Sequence, residues 1–298
     1  MFFSALVLCV SLYACQRSAP SKGNDRTGMS SKLKVLTTIP PLYSFAKNIT
    51  GDAADVENLL PSGAGPHEYA SSPADLKKII SAQVLIKNGA GLETWLDSLI
   101  ASAGEVTRSG DKTLIVVDAS SGIDIINNDP HIWLSPKKAV HQVKNIRDAM
   151  IKADPDNAEL YIRNAAQYIG RLETLDLEIQ DEIRRWKKKE FVAFHSAFLY
   201  FTRDYGLRQV AAIQEFPDKQ PTPRHIADVL RVIKDTEIKI IFSDSQFSHK
   251  IVESIARDLD LRVLSLDTLE TGELHPGWYE NMMRKNVAAL KKALGGDN

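Results

Sequence analysis

Apolar positions from Leu33 onwards fall into two alternating patterns. Short apolar runs at Leu33–Ile39, Val56–Leu60, Val84–Lys87 and Leu114–Val117 read as strands, while Leu42–Ile49, Pro73–Ser81 and Leu92–Ala101 repeat at helical spacing. A further helix is predicted from Pro136, with Ser135 as its N-cap and Ala139, Val140, Val143, Ile146, Ala149 and Met150 on its apolar face. Residues Pro155–Lys189 then break the alternation. Tyr161, Ala165, Tyr168, Leu172, Leu175, Ile179 and Ile183 keep helical spacing past Gly170, which predicts one long helix of about 50 Å at 1.5 Å per residue. After it the alternation resumes, with strands at Glu190–Phe194, Leu207–Ile213, Ile238–Phe242 and Leu261–Leu266 and helices at Thr222–Lys234, Lys250–Asp258 and Trp278–Leu294. The pattern predicts an α/β protein of two βα lobes, each with a mainly parallel sheet, joined by a rigid helix. The expected divisions are an N-terminal lobe over 33–154, the linking helix over 155–189 and a C-terminal lobe over 190–298.

The first fifteen residues differ from the rest. Phe2 to Ala14 are almost wholly apolar and end in Leu12-Tyr13-Ala14-Cys15, after which the chain turns polar, as at the end of an export signal. Leu-Tyr-Ala-Cys is similar to the lipobox of bacterial lipoproteins, which implies a signal peptide over 1–15 and a lipid membrane anchor at Cys15. No Lys or Arg precedes the apolar run. Residues 16–32 are rich in Ser, Gly, Lys and Asn, as a flexible tether would be. Both cysteines, Cys9 and Cys15, lie in the leader, so a metal site in the body must draw on nitrogen and oxygen ligands.

Composition adds exclusions. A chain of 298 residues with 44% hydrophobic and 25% charged residues is that of an ordinary soluble body. A net charge of −1, without a basic run interleaved with aromatics, gives no reason to expect nucleic acid. No glycine-rich phosphate loop is present.

Three histidines carry the candidate chemistry. His131 stands in Asp129-Pro-His-Ile-Trp-Leu-Ser-Pro136, where two prolines stiffen the loop before a helix. His67 follows Gly65-Pro66, and His195 ends a strand in Phe194-His195-Ser196. His131 and His195 each follow the preceding one by 64 residues, too far for one helical turn or a zinc-finger loop, so folding must bring them together.

Gly-Ala-Gly-Pro-His67-Glu-Tyr, Asp-Pro-His131-Ile-Trp-Leu-Ser-Pro, Ala-Phe-His195-Ser-Ala-Phe, Phe242-Ser-Asp-Ser-Gln-Phe-Ser and Leu264-Ser-Leu-Asp267 occur in one order along the chain. That series resembles the ZnuA/TroA-like solute-binding proteins of bacterial metal ABC importers, over roughly Leu33 to Leu294. The resemblance implies a metal held in the cleft between the lobes and delivered to the importer's permease by a monomeric carrier. It implies ligation by His67, His131 and His195, with Asp267 completing the site. Asp267 has a second reading, a cap of the following turn with Glu270 three residues on, and Glu68 competes for the fourth position. Three imidazoles suit Zn2+ as cargo, and manganese-carrying relatives usually have Glu where His195 stands; Mn2+ and Fe2+ remain alternatives. The histidine-rich loop of many zinc carriers is missing, because 118–129 contains no His. Trp133, Phe194, Phe198 and Tyr200 are expected to pack around the site, and His141, His225, His249 and His275 to lie outside it. The rival classes are a zinc hydrolase, against which stands the lack of a His-Glu-x-x-His helix or a paired base, and a surface adhesin. No enzymatic activity is expected.

Overall fold

A computed structural model describes residues 32–107, 113–214, 220–244 and 250–296. The signal segment, Cys15, most of the tether and His249 lie outside the described residues. The elements in chain order are β1 (Leu33–Thr37), α1 (Pro40–Thr50), β2 (Ala54–Asn58), α2 (Pro73–Ser81), β3 (Val84–Lys87), α3 (Leu96–Thr107), β4 (Ile115–Asp118), α4 (Pro136–Ala153) and α5 (Ala158–Arg184). They continue with β5 (Glu190–His195), α6 (Leu199–Tyr205), β6 (Arg208–Gln214), α7 (Pro223–Asp235), β7 (Ile240–Ser243), α8 (Lys250–Asp258), β8 (Arg262–Ser265) and α9 (Trp278–Leu294).

The first four strands form one sheet in the order β2-β1-β3-β4 and the last four a second in the order β6-β5-β7-β8. Every pairing is parallel, as strands separated by helices require. The two orders are the same topology. In such sheets the crevice for a ligand opens beyond the carboxyl ends of the two strands where the winding reverses direction, here β1 and β3 in one lobe and β5 and β7 in the other.

Helix α5 runs through Gly170 without a break and spans 27 residues, about 40 Å at 1.5 Å per residue. It is shorter than predicted at both ends. Pro155–Asn157 form a separate 3-10 turn, and after Arg184 the chain leaves the helix while the Lys189 ammonium caps the Ile183 carbonyl at 2.5 Å. Its buried stripe, Tyr161, Ala165, Tyr168, Leu172, Leu175, Ile179 and Ile183, belongs to one hydrophobic cluster that also takes in Val35, Phe45 and Trp133 from the first half of the chain and Phe191, Phe242, Tyr279 and Leu290 from the second. The lobes therefore share a core rather than hinging over a linker.

Two local departures from the sequence pattern bear on the site. Helix α3 begins at Leu96 rather than Leu92, because Gly89, Ala90 and Gly91 all take positive φ and fold the chain into a turn around Glu93. Helix α6 was not predicted; its seven residues are too few to show a period, and Gly206 in the left-handed conformation ends it.

Candidate metal centre

Strand alternation places His195. Phe191 and Ala193 point into the core shared by the lobes, Val192 and Phe194 point to the other face against α7 and α8, and His195, next in the odd series, points inward. The same alternation carries Phe194 away from the site, contrary to expectation.

His131 is held by its own loop. The Asp129 carboxylate accepts from the His131 backbone N–H at 2.9 Å and from its ring Nδ1–H at 2.6 Å, which fixes the tautomer and turns Nε2 into the cleft. Beyond it a 3-10 turn over Ile132–Leu134 leads to Ser135, whose hydroxyl accepts from Lys138 N at 3.1 Å as the cap of α4. The segment is tied to the C-terminal lobe as well. The Tyr200 hydroxyl donates to Asp129 O at 2.9 Å, the Trp133 indole to Thr268 O at 2.8 Å and the Tyr279 hydroxyl to Trp133 O at 2.7 Å, while Ser135 bonds Asp204. His67 is set by Pro66, whose carbonyl accepts from the Trp95 indole at 2.7 Å. It is the one partly exposed member of the group; His131 and His195 are buried.

The fourth member is Glu270, not Asp267. The Glu270 carboxylate is 1% exposed, and its Oε1 lies 3.2 Å from His67 Nε2, 3.1 Å from His131 Nε2 and 3.9 Å from His195 Nε2. Asp267 instead accepts from the Leu269 N–H at 2.7 Å, while Asn286 bonds both its backbone N–H, at 2.9 Å, and its carbonyl, at 2.7 Å. That turn puts Leu269 at φ 61, left-handed for a buried branched residue, and swings the next side chain into the cleft. Asp267 is thus the cap of the turn that aims Glu270. Glu68 is exposed and outside the group. His141 and His225 bond Ser121 O and Ala212 O, and His275 lies 3.9 Å from Glu273 Oε2, all away from it.

The ligand atoms of His67, His131, His195 and Glu270 all lie within 4.8 Å of one another. A tetrahedral zinc site with bonds of about 2.0–2.1 Å sets its ligand atoms about 3.3 Å apart, a spacing that Glu270 Oε1 approaches with His67 and His131, at 3.2 and 3.1 Å, and exceeds with His195, at 3.9 Å. His131 Nε2 and His195 Nε2 are 3.1 Å apart. Burial would lower the His131 pKa, but its bonds to Asp129 and Glu270, and their charges, raise it to about 9. Burial, and then the charge on His131, lower that of His195 to about 3. Burial would raise the pKa of Glu270, yet bonds from His131 and His67 and their charges hold it well below the usual carboxylate range. Its Oε2 is buried and has no hydrogen-bond partner among the described residues. A second carboxylate oxygen stripped of water in this way is costly unless a cation meets it.

Paired parallel sheets, a long helix across both and a polar cluster in the cleft define a two-lobed solute-binding protein. The sequence model of the family described as "ZnuA: Zinc-uptake complex component A periplasmic" matches residues 35–293, and the chain belongs to that family. It is 33% identical to the high-affinity zinc uptake system protein ZnuA of Bacillus subtilis, covering 94% of this chain and 93% of that one. It is 31% identical to the zinc-binding lipoprotein AdcA of Streptococcus pneumoniae, covering 94% of this chain but 58% of that longer protein. Among solved structures, the solute-binding protein FpvC of Pseudomonas aeruginosa in complex with Mn2+ superposes with a TM-score of 0.79 at 29% identity, over 90% of this chain and all of that one; FpvC has also been solved with Ni2+.

The raised His131 pKa has a defined sign. A histidine at about 9 in the fold against about 6.5 unfolded stabilises the metal-free protein fully below pH 6.5, and the contribution is lost as pH rises through 9. Asp129→Asn removes the charge that holds that proton. The stability gap between metal-free wild type and Asp129→Asn is expected to be widest near pH 6 and to close by pH 9.5, as measured by urea unfolding; a gap that widens with pH contradicts this.

Proposed function

We propose that the protein captures a single Zn2+ between its lobes through His67, His131, His195 and Glu270 and hands it to the permease of an ABC importer. The observation that carries this is the buried Glu270 carboxylate, which meets three converging imidazoles through one oxygen and leaves the other without a hydrogen-bond partner among the described residues. Three imidazoles and a carboxylate complete a four-coordinate shell without thiolate, the set that suits zinc; manganese favours more oxygen. That FpvC holds Mn2+ and Ni2+ in the same fold argues that the donor set, not the architecture, selects the cargo, with Mn2+ or Fe2+ as weaker alternatives here. A shell filled by four protein groups also leaves no position for an activated water, which favours a carrier over a hydrolase. His67, partly exposed, is the side from which a metal approaches, whereas the other three groups stand preassembled.

No helix among the described residues is long and apolar enough to cross a membrane. We propose that Cys15 is lipidated and that a monomeric body, tethered through residues 16–32, works at the outer face of the membrane. Support comes from the sequence around Cys15 and from the lipoprotein AdcA among the relatives.

Titration calorimetry is expected to give one zinc per chain for wild type. His67→Ala, His131→Ala, His195→Ala and Glu270→Ala should each weaken binding by roughly 100-fold or more, since the ion must replace a strong ligand with water. Asp267→Ala should lose about 1 kcal/mol of folding stability as a cap and roughly tenfold in affinity through a loosened Glu270. Wild-type affinity in Glu270→Ala would remove that carboxylate from the site. For the anchor, Cys15→Ser is expected to release the protein from the membrane fraction; undiminished membrane association of the variant refutes lipidation.

A further inference from the structure

The winding-reversal crevice of the second sheet delivers His195, but the matching crevice of the first sheet, between the ends of β1 and β3, delivers no ligand. It is filled from within. Glu93, 3% exposed, turns its carboxylate into the crevice. Oε1 accepts from the Thr38 hydroxyl at 2.6 Å and from Asn88 N–H at 2.8 Å, and Oε2 accepts from Gly89 N–H at 3.1 Å. Such a crevice ordinarily presents its backbone N–H groups to an anionic ligand. Here a side chain of the same lobe takes that place, and the positive φ of Gly89, Ala90 and Gly91 is the turn that allows it.

What this plug holds is Asn88, fully buried at the end of β3. Its backbone N–H is bound by Glu93, and its side-chain carbonyl accepts from Gln142 Nε2 of α4 at 2.9 Å. With both fixed, the amide Nδ2 donates at 3.0 Å to the carbonyl of Pro130, the residue directly before His131, and at 3.1 Å to Gly89 O. Asp129 sets which way the His131 ring turns, but its own backbone is loop; Asn88 is where that loop is fastened to a sheet.

We infer that Asn88, locked by Glu93 and Gln142, is a positioning residue for metal capture: it anchors the Pro130 carbonyl to the first sheet and so fixes where His131 Nε2 stands. The inference rests on the zinc-site reading above. Partners bonded directly to a metal-ligating side chain commonly change affinity by about 10–100-fold when lost; Asn88, bonded to the peptide before His131 and not to its ring, is expected at the lower end of that range. Asn88→Asp keeps the volume and the acceptor for Gln142 but puts an oxygen, in place of a donor, against Pro130 O.

The test compares wild type, Asn88→Asp, Asn88→Ala and, as a control for general weakening of the same lobe, Ile79→Ala. Ile79 is fully buried in the cluster of α2, β3 and α3, which touches the His67 loop through Ala64 and Tyr69 but includes no residue of the His131 loop. Zinc affinity is measured by chelator competition, and the visible d–d spectrum of the Co2+-loaded protein reports ligand geometry. Both Asn88 variants are expected to bind zinc at least tenfold more weakly than wild type and to shift the Co2+ bands, while Ile79→Ala lowers the melting temperature but leaves affinity and spectrum as in wild type. Asn88 variants that are only less stable, with wild-type affinity and an unshifted Co2+ spectrum, overturn the positioning role while the zinc site stands. Absence of zinc binding in wild type itself would instead remove the site on which the inference rests.

Discussion

The line Asp129–His131–Glu270 is the interaction on which the remainder of the structure depends. An imidazole between two carboxylates, bonded at 2.6 Å through Nδ1 and 3.1 Å through Nε2, keeps a proton far above its ordinary pKa even though it is buried. That proton is the stand-in for a cation. Without the charge on His131, the buried Glu270 carboxylate would lose one of the two cationic partners set against its desolvation, a cost of several kcal/mol for an isolated ion. In the proposed site, a metal ion taking Nε2 would displace that proton and supply the positive charge in its place.

Such a cluster needs a frame that does not give way, and the frame is the shared core. Helix α5 places residues from both lobes on one apolar stripe, Phe45 of α1 stacks edge-on with Tyr279 of α9 at 4.9 Å, and the loop bearing His131 is bonded to Asn88 on one side and to Tyr200, Thr268 and Tyr279 on the other. His131 thus belongs to neither lobe alone. Exposed ion pairs between α5 and α9, Glu178 with Arg284 and Glu182 with Lys291, add little to this, at about 0–1 kcal/mol each. The apolar contacts and buried bonds resist lobe separation, so loop adjustment, centred on the partly exposed His67, is the motion left for loading.

Much of this was legible in the chain because the signals are local. Pro66, Pro130 and Pro136 mark the loops of His67 and His131, strand alternation sets the direction of His195, and the period of α5 survives Gly170. The alternation of strands and helices was enough to foretell two parallel sheets, yet their identical strand order leaves no visible repeat, since topology follows from where the strands fall and not from which apolar residues fill them. Glu270 escaped because its placement depends on a left-handed Leu269, a conformation that an aliphatic side chain does not advertise; the available hint was an aspartate positioned to cap a turn three residues earlier. Glu93 and Asn88 escaped for a related reason. Leu92–Ala101 has helical spacing, and a glutamate in it reads as a solvated helix face until the turn at Gly89–Gly91 carries it inward.

The most direct test of the account is a crystal structure of the zinc-loaded protein with data collected at the zinc absorption edge. The expected result is a single anomalous peak per chain in the cleft, with three nitrogen ligands at about 2.0–2.1 Å from His67, His131 and His195 and carboxylate oxygen from Glu270 at about 2.0–2.2 Å. A peak bound by Asp267 in place of Glu270, or one lying away from His131, would contradict it.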